Sequence, residues 1–253
     1  MNTLKRDLLK KLLLTTPDNG VVCAAFLKEN GFSYENLKGY IRNGYLDSLG
    51  RGAYCKHGNK PSVAAGVSAL NLQLSLSVHF GGKTALAERG VVHFVPFSER
   101  PATLFCSPRL AMPTWFMRHY VGRFSLTRTN LIAGEEGVET RSLGGFDVRM
   151  SVPERAILEM LYLVPGKQML NEVYQLLEMM TAVRPKVMQS LLAKCSSVKV
   201  KRLFFLLAES TGHGWFSEIN PNEVDLGTGC RVIDEGGTFN GKWQVVVNDW
   251  RDI

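Results

Sequence analysis

The sequence predicts an α+β fold, on three features. Near its start, three short helical periods run directly into an alternating stretch broken by Gly50-Arg51-Gly52. Between residues 76 and 150 the apolar positions alternate in short runs, the two-residue period of strands. From 153 to 210 they recur at spacings of three and four, the period of helices that bury one side.

Leu4, Leu8, Leu9, Leu12 and Leu13 make residues 3–14 an amphipathic helix that stops before Pro17-Asp18-Asn19-Gly20. A second short helix is expected over 22–29, with Val22, Ala25, Phe26 and Glu29 on one stripe and Asn30-Gly31 as its stop. Ser33 is the N-cap candidate of a third helix over about 34–43, and Glu35 places a carboxylate in its first turn, where the helix dipole favours it. That spacing puts Leu37, Tyr40, Ile41 and Gly44 on one side and Glu35, Lys38, Gly39 and Arg42 on the other. Residues 45–49 and 53–56 alternate as strands around the Gly-Arg-Gly tip. Three helices followed by a hairpin is the winged helix-turn-helix order, here over residues 1–60.

Residues 61–253 then form a larger mixed domain of antiparallel sheet and a helical layer. An apolar helix over 61–73 bridges into it. Strands are expected at 76–80, 91–95, 103–106, 123–127, 138–142 and 146–150, the last two turning at Gly144-Gly145, with short helices at 83–89 and 113–119. Four helices follow from Pro153 onward, and a final hairpin over 230–248 joins the strands at 230–233 and 243–247.

The formal charge of +7 is unevenly placed. Residues 1–60 carry 10 Lys/Arg against 5 Asp/Glu, residues 61–150 carry 9 against 6, and residues 151–253 carry 11 against 12. A polyanion is therefore the natural partner of the N-terminal part. Cys23, Cys55, Cys106, Cys195 and Cys230 lack the spacing of a zinc site or a disulfide framework, so reduced thiols and a cytoplasmic location are expected. Charged residues interrupt the leucines of the first helix, leaving neither a signal peptide nor a membrane span.

Phosphate-binding loops, dinucleotide fingerprints, nucleophile elbows and H-E-x-x-H are all missing from the sequence. The five histidines share no spacing, and no cofactor, metal or catalytic residue is expected. A nuclease would need gathered carboxylates and a lysine to hold a divalent ion, and the nearest candidates, Glu139 and Asp147, each stand two residues before an arginine instead.

The expected site is a DNA-binding face. Tyr34, Lys38 and Arg42 would enter the major groove, Arg51 would reach the backbone or minor groove, and Ser33 would cap the helix and reach a phosphate. Asn36 at the flank and Lys56 on the hairpin complete the set. Lys194, Lys199, Lys201 and Arg202 gather at the start of the last long helix, the end where the dipole disfavours cations. They read either as a solvated face or as a surface for an acidic partner or RNA. Trp215-Phe216, Trp243 and Trp250 read as packing rather than base-stacking platforms.

Arg51-Gly52-Ala53-Tyr54 at the wing, Gly81-Gly82-Lys83-Thr84-Ala85-Leu86 and Gly90-Val91-Val92-His93-Phe94 resemble the AbiEi antitoxins of type IV toxin-antitoxin systems. Residues 153–159 (PERAILE), 197–204 (SVKVKRLF) and Gly236-Gly237-Thr238-Phe239 are similar to that family's C-terminal antitoxin domain. The resemblance implies a bacterial antitoxin, encoded beside a nucleotidyltransferase toxin and associated with phage resistance by abortive infection. It implies an N-terminal domain that binds inverted repeats in its own promoter and represses transcription. The C-terminal domain would neutralise toxicity without requiring a stable complex with the toxin. The alternatives from other classes are a nuclease targeted by the winged helix and a ligand-sensing transcriptional regulator.

Overall fold

The computed structural model describes residues 3–91 and 101–251. The expected strand over 91–95, with His93, lies almost wholly outside them.

The winged helix forms around one small core. α1 (Thr3–Thr15) contributes Leu12, α2 (Ala24–Glu29) Leu27, and α3 (Tyr34–Arg42) Leu37. They close on Phe32, on Leu46 of β2 (Leu46–Gly50) and on Tyr54 of β3 (Ala53–Lys56). One element differs from the sequence expectation: Val22 and Cys23 are not helical but form β1, which pairs antiparallel with β3, Val22 opposite Tyr54 and Cys23 opposite Ala53. The sheet order is therefore β1-β3-β2. Helical spacing misled here because Val22 is buried for its strand, while Leu27 takes the core position of α2 and Ala25 and Glu29 stay exposed.

α4 (Val63–Gln73), capped by Ser62, is apolar nearly all round and buried from Val63 to Leu70, as a helix inside a core must be. Gln73 fastens it to β1, accepting from Cys23 N at 2.7 Å and donating to Val21 O at 2.8 Å. Gly66 allows the Tyr120 ring to lie on its backbone, since a Cβ there would stand 2.5 Å from the ring.

The remaining strands are β4 (Val78–Phe80), β5 (Ala102–Cys106), β6 (Phe124–Arg128), β7 (Val138–Leu143) and β8 (Phe146–Ser151), in a five-stranded sheet of order β6-β5-β4-β8-β7. α5 (Gly82–Ala87) and α6 (Thr114–His119) are the two short helices among them. The sequence predicts a mostly antiparallel sheet, and within it the pair β4 and β8 runs parallel, Phe80 opposite Met150. Alternation of apolar residues marks a strand but carries no information on the direction of its neighbour.

α7 (Pro153–Leu163), α8 (Leu170–Met179), α9 (Pro185–Lys194) and α10 (Val198–Thr211) follow as expected. β9 (Arg231–Val232) pairs parallel with β11 (Val245–Val247), and β10 (Thr238–Asn240), which the sequence reading passes over, pairs antiparallel on the other side of β11. The closing hairpin is made by other strands than expected, β10 with β11 and not the strand at 230–233 with that at 243–247.

Chain contacts divide the molecule into two compact units. The first comprises residues 1–79, 100–127 and 140–149; the second comprises 80–99, 128–139 and 150–253. In the second, Glu159 is a buried hub: its carboxylate accepts from Gly82 N at 3.0 Å, Ser151 Oγ at 2.9 Å and Arg155 Nε at 2.9 Å. Arg155 donates onward to Glu136 O at 2.6 Å and to Gly134 O and Ile132 O at 3.4 Å. The Gly81-Gly82 and PERAILE segments are thus joined by a charged, hydrogen-bonded network that fixes the 131–137 loop.

Candidate nucleic-acid interface

α3 is defined at both ends by local chemistry. Ser33 Oγ accepts from Asn36 N at 3.1 Å while Asn36 Oδ1 accepts from Ser33 N at 2.9 Å, a reciprocal capping box. At the other end Gly44, at φ +69°, lets Gly44 N reach Ile41 O at 3.0 Å and Tyr45 N reach Tyr40 O at 2.9 Å. This pair of bonds is a Schellman ending, with Tyr45 set edge-on against Tyr40 as its apolar contact. Gly44 is therefore a stop and not part of the helix's inner face. Burial raises the Tyr40 pKa, as the position of its ring between Phe32 and Tyr45 requires.

Leu37 and Tyr40 face the core, and Tyr34, Lys38 and Arg42 face outward together. Tyr34 is 65 % exposed, and Lys38 Nζ lies 4.7 Å above its ring and 4.0 Å from Glu35. These contacts hold the lysine along the helix surface and tolerate its displacement toward a phosphate. Ile41, expected in the core, is 37 % exposed on this same outward side.

Arg51 stands exposed at the hairpin tip, between Gly50 at φ +131° and Gly52 at φ +91°. The tip is braced from behind: a Cβ on Gly50 would meet Trp115 Cβ of α6 at 3.0 Å. The base of the hairpin is closed by Asp47, whose carboxylate binds His57 Nδ1 at 2.9 Å and Gly58 N at 2.9 Å, holding its pKa below the usual carboxylate range. Two expected contacts are otherwise engaged. The Asn36 side chain belongs to the capping box, and Lys56 Nζ is 2.6 Å from Asp18 Oδ1, so any phosphate must compete with those partners.

Grouping residues by compact unit sharpens the charge pattern. The first unit holds 16 Lys/Arg against 6 Asp/Glu, and the second 14 against 17. The excess of +10 collects with α3 and the hairpin because residues 100–127 and 140–149, far along the chain, bring six arginines and one aspartate into the same unit, with Arg109, Arg118 and Arg123 exposed there. Sequence reasoning missed them because only the fold gathers them.

The basic cluster of α10 is neither a solvated face nor an outward surface. Lys201 and Arg202 are 4 % and 3 % exposed. Arg202 donates to the carbonyls of Leu226 (2.8 Å), Gln244 (2.9 Å), Gly227 (3.1 Å) and Gly229, pinning the 226–229 loop and the start of β11. Lys199 Nζ donates to Tyr162 O at 2.9 Å and to Val164 O, carbonyls at the C-terminal end of α7, and burial lowers its pKa. These cations answer another helix's C-terminus and a loop's carbonyls, which is why the dipole of their own helix fails to explain them. Lys194 is exposed and paired with Glu136.

Trp215 and Trp243 are buried, Trp243 stacked on Phe205 at 4.9 Å between ring centres. Cys23, Cys55, Cys106 and Cys195 are buried free thiols, and Cys230 is exposed. Among the described residues no three His, Cys, Asp or Glu side chains gather as a metal site, and no helix is long and apolar enough to cross a membrane. Glu139, one of the two carboxylates weighed as metal ligands, receives Arg89 Nη2 at 2.6 Å, and Asp147 is exposed on β8.

The chain is similar in fold to the crystal structure of the RV2827C protein from Mycobacterium tuberculosis, with a TM-score of 0.60 at 12 % identity over 97 % of this chain and 92 % of that one. No curated protein matches it in sequence. Two family models match: residues 5–97 fit the N-terminal domain of the AbiEi antitoxin transcriptional regulators, and residues 99–248 fit the model described as transcriptional regulator, AbiEi antitoxin, type IV toxin-antitoxin system. With both models matched in order along nearly its whole length, the chain belongs to the AbiEi family of antitoxin transcriptional regulators.

Proposed function

We propose that this chain represses its own operon by binding inverted repeats in the promoter through α3 and the hairpin tip, and that it counteracts a nucleotidyltransferase toxin in the cytoplasm without catalysis and without requiring a stable complex. The observation that carries the DNA-binding part is the outward face of α3, where Tyr34, Lys38 and Arg42 share one side of a firmly capped helix beside the braced Arg51, within a unit of charge +10. A recognition helix needs rigidity and cations in this order, and phosphate neutralisation then makes affinity steeply salt-dependent. Ser33, Asn36 and Lys56 serve the same face, the first two through the cap and the third at the backbone.

The test uses the full chain, since α4 is buried in the same unit as the winged helix and a cut at residue 61 would expose it. Arg42→Ala with Arg51→Ala should weaken promoter binding about 100-fold or more and flatten the salt dependence by about two charges. The same variant, co-expressed with the neighbouring toxin gene, should still rescue growth. Unchanged promoter affinity would remove this face from the reading. Magnesium- or manganese-dependent cleavage of DNA or RNA, abolished by Glu139→Ala or Asp147→Ala, would replace the repressor with a nuclease.

A further inference from the structure

Three residues form a stripe along the outside of α3: Tyr34, Lys38 and Ile41, spaced by four and three. On a helix that spacing is one continuous line. One is aromatic and one aliphatic, and all three are exposed. Leu37, Phe32 and the half-buried Tyr40 belong to the core beneath α3, and Ile41 is not among its members. An aliphatic side chain thus stands partly in water on the line of Tyr34 and Lys38, next to Arg42 in the chain.

Resting on the DNA-binding reading above, we propose that Ile41 is a specificity-determining residue that reads the C5 methyl group of thymine in the major groove. The charge of the surrounding unit and of Lys38 and Arg42 selects a duplex as the occupant of this face. Within the major groove, the thymine methyl is the only apolar group a base edge presents. An isoleucine can make no hydrogen bond there, so the methyl is the feature it can distinguish. Arg42, its immediate neighbour, can take the O6 and N7 acceptors of a guanine, and the half-site then contains a thymine close to that guanine.

The experiment compares one promoter fragment made with thymidine and the same fragment made with deoxyuridine, which differs by that methyl alone. Affinities are measured by fluorescence anisotropy for the wild type and for Ile41→Ala, with circular dichroism confirming that the variant is folded. The wild type should bind the deoxyuridine fragment about fivefold more weakly or worse. Ile41→Ala should lose a similar factor on the thymidine fragment and less than about twofold more on changing to deoxyuridine. Equal binding of both fragments by the wild type, or full retention of the thymidine preference by Ile41→Ala, overturns the inference while leaving DNA binding intact. Failure of the wild type to bind either fragment overturns the DNA-binding reading, and this inference with it.

Discussion

Replacing Arg202 by Met tests whether the basic cluster of α10 is scaffold or surface. The substitution keeps the apolar stem and removes a guanidinium that donates to four carbonyls. Hydrogen bonds from a charged donor contribute about 1.5–3 kcal/mol each, or about 6–12 kcal/mol gross for four. Gly227, Gly229 and Gln244 are exposed residues, so water can replace much of what is lost there. That brings the net cost down to about 3–4 kcal/mol, close to the range for breaking a buried charged contact. For a unit of this size, where 1 kcal/mol shifts the midpoint by about 2–4 °C, melting should fall by about 10 °C. Circular dichroism melts of the full chain read this directly, and limited proteolysis should show new cleavage within 225–245. Lys194→Ala, which removes only an exposed pair, should melt within about 2 °C of wild type. Toxin rescue by Arg202→Met should then fall in proportion to soluble protein and not through lost recognition. A melt unchanged within 2 °C would refute the structural assignment of this arginine.

Burial works against the Glu154 carboxylate, but the guanidinium and backbone N–H of Arg184 outweigh it and hold its pKa below the ordinary value. A depressed pKa stabilises the fold above the unfolded-state value of about 4, and that stabilisation is lost as pH falls through the lower folded-state value. Urea midpoints followed from pH 6 to pH 3 should therefore drop less steeply for Glu154→Gln than for wild type, although the variant is less stable at pH 6. Gly66→Ala should destabilise by about 1–3 kcal/mol, because its methyl meets the Tyr120 ring at 2.5 Å inside a packed core, and urea denaturation measures it. Burial pushes the thiols of Cys23 and Cys55 up to about 12 and about 11, so at pH 8 a disulfide reagent should titrate Cys230 rapidly in the native protein and all five cysteines only after unfolding.

Local signals carried much of this molecule. Ser33 as an N-cap and Gly-Arg-Gly between two alternating runs specify the start of α3 and its hairpin within a few residues of chain, and the four-helix layer follows from one periodicity, while helical spacing alone hides the stop at Gly44. What escaped is what depends on distant partners. Val22 and Cys23 become a strand only because β3 lies beside them, and β9 runs parallel to β11 for reasons no alternation encodes. Lys199 and Arg202 looked like surface residues because their partners are backbone carbonyls, which every residue has and no sequence pattern marks. Ile41 reads as inward by its spacing, and only the structure leaves it outside the core that Leu37 and Tyr40 join.

The hub at Glu159 and the outward face of α3 obey different constraints. The segments Gly81-Gly82 and PERAILE, where the sequence resembles this family, are occupied with holding one another in place. Tyr34, Lys38, Ile41 and Arg42 could all be exchanged with little disturbance to the core. If α3 reads an operator as proposed, two such chains in one cell can keep the same Glu159 network yet answer to different operators, so that neighbouring systems remain insulated from each other's regulation.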